Sequence, residues 1–140
     1  MKKLLSIIPV IIILSGNIYA DDFIAIREQI RNPDLTELQR KKMIEPYFGK
    51  KVLWQGWVED VKEEESGGYV CFVDMDSPEV FFSVYDLKIQ VDSELALKLR
   101  KNQIVYVTGV IKSIDVVAGI FSVELINPKL ITQKPEIDKK

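Results

Sequence analysis

Asp74, Asp76 and Glu79 lie close together in the sequence and offer the hard oxygen ligands that divalent cations take. Their spacing does not match the calcium loop, and Asp76-Ser77-Pro78-Glu79 has the composition of an ordinary turn, so turn formation is the expected role. A glycosidase pair would need two carboxylates at a set separation, and nothing singles these out among 21 acids. The run Glu63-Glu64-Glu65 reads as a solvated loop tip that could steer a basic partner. Cys71 is the single cysteine, so no intramolecular disulfide can form, and its apolar setting predicts a buried structural thiol. The chain has no histidine, which removes the usual general base near neutral pH and the commonest metal ligand. No CxxC, GxSxG or phosphate-cradling glycine loop occurs. The basic groups Lys50-Lys51 and Lys98-Arg100-Lys101 read as solvated positions beside helix ends. These residues predict a non-enzymatic protein with no cofactor and no metal site.

The first residues bear on compartment. Lys2 and Lys3 precede an apolar stretch from Leu4 to Leu14, followed by Ser15-Gly16-Asn17 and the small residue Ala20: the order of a secretory signal peptide cleaved after Ala20. The apolar stretch is too short to span a bilayer, so no stable membrane span is expected after cleavage. The predicted location is periplasmic or secreted. Cleavage would change the net charge from −2 to −4, which disfavours a nucleic-acid partner, because such binding depends on neutralising phosphates.

The remaining length suits one domain. From Asp22 to Arg31, Phe23, Ile24, Ile26 and Ile30 recur at helical spacing. After Asn32-Pro33, Asp34 can cap a second helix with Glu37 at capping-box spacing, its apolar face made by Leu35, Leu38 and Met43 and its end set by Pro46 and Gly49. Strand-like runs follow at Val52–Val61, Tyr69–Met75, Val80–Tyr85, Ile104–Ile114 and Ile120–Ile126, with a break at Asp115 to Gly119. Between the third and fourth runs, Ser93 to Leu99 offers an N-cap and a Leu95/Leu99 pair, with Asn102 placed to end the helix in the left-handed region.

That order predicts a mainly β fold: a five-stranded OB-fold Greek-key barrel with a helix between strands three and four that would plug one end, preceded by two short N-terminal helices. A different small barrel or a sandwich is the alternative. Gly56 and Gly109, inside the first and fourth runs, mark expected bulges or tight bends. The segments are 1–20 as signal peptide, 21–49 as helical segment, 50–131 as barrel and 132–140 as polar tail.

The stretch Tyr47-Phe48-Gly49-Lys50-Lys51-Val52-Leu53-Trp54-Gln55-Gly56-Trp57-Val58, with Lys101-Asn102-Gln103-Ile104-Val105-Tyr106-Val107-Thr108-Gly109-Val110-Ile111, resembles the tRNA_anti-like group of exported bacterial OB-fold proteins. The resemblance covers about residues 47 to 131 and rests on fold-forming residues, so it implies architecture and not activity. Where anticodon-binding domains carry basic residues in the first loop, this chain has Glu63, Glu64 and Glu65. The exported stress-associated BOF proteins are similar in size, but their strand motifs fit less well.

Ligands of OB-folds usually sit on the outer face of strands two and three. With Val70 and Phe72 inward on strand two, and Val80, Phe82 and Val84 inward on strand three, the outer set is Tyr69, Cys71, Val73, Phe81, Ser83 and Tyr85. The aromatic members suit stacking on bases or anchoring of a peptide, and charge and compartment favour a protein or peptide. The same face is also where the N-terminal helices could bury Phe23, Ile26, Leu35 and Leu38. Trp54 is expected in the core and Trp57 at the surface, with Tyr106 a further surface candidate. The candidate ligand-binding residues are Tyr69, Phe81, Tyr85, Trp57 and Tyr106.

Overall fold

The computed structural model describes residues 22–78 and 86–135. Helix α1, Phe23–Ile30, starts where Asp22 Oδ1 accepts from the Ala25 N–H at 2.9 Å, and it buries Phe23, Ile26 and Ile30 on one face. Helix α2, Glu37–Ile44, is capped by Thr36, with Gln39 closing the capping box, and not by Asp34. Asn32 preempts Asp34 by accepting from its N–H in a turn. Arg40 on α2 donates to the carbonyls of Ile30 and Asn32, satisfying acceptors left at the end of α1. A 3-10 turn, Glu45–Tyr47, and Gly49 at φ +84° turn the chain into the first strand.

Five strands follow among the described residues: β1 Lys51–Glu63, β2 Tyr69–Asp74, β3 Leu87–Val91, β4 Ile104–Val117 and β5 Ile120–Ile131. All pairings are antiparallel, in the order β3-β2-β1-β4-β5, and β3 and β5 approach each other so that the sheet forms a nearly closed barrel. Helix α3, Ser93–Lys98, lies between β3 and β4 in sequence; its cap is Asp92, one residue before Ser93, and Asn102 takes φ +67° in the turn that follows. Leu95 on it and Leu99 at its C-cap are half-buried. The β4–β5 hairpin turns on Ala118 and Gly119 alone, both at positive φ, so the strands run closer to the tip than the expected break.

The core is built from inward positions of β1, β2, β3 and β4 together with α1. Trp54, 1% exposed, meets Phe23 edge to face at 5.3 Å, and Phe23 meets Phe121 of β5 at the same distance. The apolar residues of α1 therefore enter the barrel core and do not cover the outer face of the second and third strands. Leu38 of α2, expected to be buried, is 64% exposed, and Ile44 is its buried residue.

Several expectations are corrected. Gly56 is no bulge: residues 52, 54, 56 and 58 face inward without interruption, and an added Cβ at Gly56 would lie 2.6 Å from Val73 Cγ1, so close approach of β2 explains the glycine. The irregularity in β1 falls between Val58 and Asp60, where Val58 bonds Asn102 and Gln103 through its carbonyl and N–H. Gly109 does sit at a register shift, packed against the β5 backbone near Asn127 and Pro128. The phase of β2 is the reverse of the expected one. Cys71 and Val73 are fully buried in the core, while Phe72 faces outward, because β2 pairs Cys71 with the inward Val61 and Ile89. The strand beside β2 is Leu87–Val91; the run Val80–Tyr85 lies outside the described residues.

Candidate functional site

The reversed phase of β2 redefines its outer surface. Phe72 stands opposite Asp60 of β1 and Lys88 of β3; the next position in its phase, Val70, is buried as expected, with Lys62 and Gln90 paired to it on either side. The Lys62 and Lys88 ammonium groups lie 5.6 and 5.8 Å from the centre of the Phe72 ring. Both distances are within cation–π range, and the ring presents an apolar surface bordered by two lysines and by the Asp60 carboxylate, which stands 4.0 Å from the Lys62 ammonium. Neighbouring Asp60, Lys62, Lys88 and Gln90 are exposed, and Phe72 is half-buried. The face arises from short alternation: Lys88 and Gln90 outward, Leu87 and Ile89 inward.

The expected site residues separate. Tyr69 is half-buried and shares the inward phase of Cys71 at the far end of β2, where it lines a cleft of about 340 Å³ with Val61, Ala96 and Leu99. It is thus not part of the outer face, a correction with the same cause as that for β2. Trp57 and Tyr106 both point outward on β1 and β4, half-buried; pairing of Trp57 with Ile104 and of Gln55 with Tyr106 makes them diagonal neighbours. Trp57 also borders a cleft of about 230 Å³ beside the start of α1, with Asp22, Ile24 and Met75. Phe81 and Tyr85 lie outside the described residues, as does Glu79.

The acids form a different constellation from the one the spacing suggested. Asp74, Asp76 and Asp86 each bring a carboxylate oxygen within 4.8 Å of the others. Arg27 of α1 enters this group, donating to Asp76 from both terminal nitrogens at 2.8 and 3.1 Å and standing 3.9 Å from Asp86. Asp74 Oδ1 accepts from the Asp76 N–H, which is the turn role expected of it, and Asp86 Oδ2 accepts from the Met75 N–H, both at 2.8 Å.

The guanidinium holds the Asp76 carboxyl below the ordinary carboxylate range, and Asp76 in turn raises Arg27. Asp86 is pushed up to about 6, first by burial and then by repulsion from Asp76 and Asp74, against the opposing effects of the Met75 N–H and Arg27. A guanidinium already bound to these oxygens makes the cluster an ion-pair network that ties α1 to the ends of β2 and β3. Sequence reasoning missed Arg27 and Asp86 because no local motif links positions this far apart.

Cys71 is buried, and its thiol is raised to about 11 by burial and by the nearby Asp60 carboxylate. No described helix is long and apolar enough to cross a membrane. The chain matches no protein-family model and no curated protein sequence.

Proposed function

We propose that this chain is an exported, non-enzymatic OB-fold binding module that holds a protein or peptide segment on the outer face of β2 and β3. The observation that carries the reading is Phe72 between Lys62 and Lys88, a ring with two ammonium groups beside it on a face that the apolar residues of α1 do not cover. Such a face suits an acidic segment that also offers an apolar or aromatic side chain. The strand order and the helix between β3 and β4 support the OB-fold assignment, since that fold closes a five-stranded barrel with the same connections. The order of basic, apolar and small residues before Asp21 supports export.

The same ring and lysines favour a second reading, a single-stranded nucleic acid stacking on Phe72. Titration of the labelled protein with an acidic, aromatic-containing peptide and with an oligothymidine at two salt concentrations separates the two. The protein-type reading expects peptide binding that Phe72→Ala abolishes without moving the melting temperature, and an oligonucleotide response no stronger than background. Steeply salt-dependent oligonucleotide binding lost in Phe72→Ala would establish the second reading instead. Export is tested by the N-terminal residue of the protein recovered from the cell envelope, expected to be Asp21.

A further inference from the structure

The cleft of about 340 Å³ that Tyr69 borders runs along the second half of β1. From Lys51 to Trp57 that strand pairs with β4, and Val58 then bonds Asn102 and Gln103. Beyond it, from Glu59 to Glu63, β1 keeps β2 on one side and has no backbone partner on the other among the described residues. The cleft follows this free edge: Asp60 and Lys62 of one phase and Val58, Val61 and Glu63 of the other all line it, while β2 contributes Tyr69 alone. Its other wall is α3 and the turn after it. Bonded and non-bonded pairs alternate in an antiparallel ladder, and the hairpin closes with the Glu64 N–H on the Gly68 carbonyl. Lys62 and Asp60 therefore bond β2, and Val61 and Glu63 turn their backbone groups toward the cleft. The Val61 N–H accordingly goes to Asp60 Oδ1 at 2.8 Å, a side chain standing in for an absent strand.

Groups of this kind recognise the main chain of an extended segment, which offers a carbonyl and an N–H at matching spacing. Beneath the edge Ala96 is buried and Val61, Tyr69 and Leu99 are half-buried, a floor for one apolar side chain of a strand whose next side chain points away. The charged lining residues are two acids, Asp60 and Glu63, and two bases, Lys62 and Lys101, so net charge does not select the occupant. A second copy pairing through the same edge is opposed by its own charges. Two-fold registers centred on Asp60, Val61 and Lys62 set Asp60 on Asp60, Glu59 on Glu63 and Lys62 on Lys62. The α3 wall also leaves room for one segment and not for a strand with a sheet behind it. We propose that the free edge of β1, Glu59–Glu63, is a strand-addition site, where the main chain of a bound peptide pairs with Val61 and Glu63 and one apolar side chain seats beside Tyr69 and Leu99. This rests on the reading of the chain as a peptide binder and adds where the backbone of the peptide lies. Lys62 links the two places, since it lines the cleft and its ammonium is 5.6 Å from the Phe72 ring.

Short peptides selected from a random pool for binding to the protein, as recovered from cells expressing the full chain, are the probe. They should protect the Val61 and Glu63 amides from hydrogen exchange, and methylating alternate backbone nitrogens of the peptide should weaken binding at least about tenfold. Asp60→Ala frees the Val61 N–H and should tighten binding by more than Asp60→Asn, whose amide oxygen can still accept from it. Leu97→Glu, on the α3 wall and 83% exposed, should weaken binding with the melting temperature unchanged. Peptides that lose affinity in Phe72→Ala, yet are indifferent to N-methylation and leave the Val61 amide unprotected, overturn the edge site while the Phe72 reading stands. Edge protection that survives Phe72→Ala supports the edge site and removes the ring from the reading. A protein that selects no peptide overturns both. Protection of Val61 that rises with protein concentration alone overturns the proposal in favour of a self-paired dimer.

Discussion

Replacing Asp86 with Asn should stabilise the protein at neutral pH and flatten its stability on the acid side. Asp86 carries a carboxyl at about 6 in the folded state against an ordinary 3.8. The folded state thus holds the proton more tightly than the unfolded chain, so its contribution is fully present below pH 3.8 and is lost as pH rises through about 6. At about 1.4 kcal/mol per pH unit, the interval is worth about 3 kcal/mol, all of it lost by pH 7.5. Asp76 has the opposite sign: its carboxyl is lowered by Arg27, so its contribution is present above the ordinary carboxylate value and falls away only in stronger acid. The two together predict greatest stability at mildly acidic pH.

In Asp86→Asn the amide oxygen can still accept from the Met75 N–H, while the charge repelled by Asp74 and Asp76 is gone. Some attraction to Arg27, 3.9 Å away, is lost with it. The net gain at pH 7.5 should be about 1–3 kcal/mol, and the decline between pH 4 and 6 should disappear. Urea unfolding across that range, followed by tryptophan fluorescence, measures both quantities. A variant that keeps the wild-type slope, or is less stable than wild type at pH 7.5, would refute the argument.

Gly56→Ala places a methyl group 2.6 Å from Val73 Cγ1, 2.9 Å from Met75 Sδ and 3.1 Å from the Asp74 carbonyl, and overpacking on this scale should cost about 1–3 kcal/mol in a urea melt. Phe23→Ala removes the ring that joins Trp54 to Phe121, with an expected loss of about 3–5 kcal/mol and a shift in Trp54 emission as its edge-to-face neighbour disappears. Cys71 should resist a thiol reagent at pH 8 in the native protein and react at once in denaturant, because its thiol is buried and raised to about 11; rapid native labelling would contradict the packing of β2.

Elements with a one-sided pattern were legible in the sequence. Phe23, Ile26 and Ile30 recur at helical spacing, and β1 alternates Val52 and Trp54 with Leu53 and Gln55, so α1 and the inward Trp54 follow from period, whereas Trp57 depends on the phase running unbroken through Gly56. Tyr69-Val70-Cys71-Phe72-Val73 is apolar at every position, so alternation cannot say which side is inward; the pairing of Cys71 with Val61 and Ile89 decides it. That is why Phe72 is hidden to sequence reasoning while Tyr69 draws attention. The alternation Leu87-Lys88-Ile89-Gln90-Val91 is readable as a strand, but the denser apolar run at Val80–Tyr85 outweighs it. Both Asp34 with Glu37 and Thr36 with Gln39 satisfy the capping-box spacing, and only the Asn32 turn selects between them. The Arg27–Asp76 pair spans 49 positions and leaves no local trace.

The ring stack of Phe23, Trp54 and Phe121 joins the first described helix to the last strand. A chain that has emerged only as far as β4 already holds the core partners of α1 on β1 to β4 and lacks Phe121, so the stack has one open side. Most of the sequence must be available before the core can close, and loop closure over such a distance is slow compared with forming either the hairpin or the helix. Until then the side of the Phe23 ring that Phe121 covers stays wet, and β5 supplies the last wall of the core.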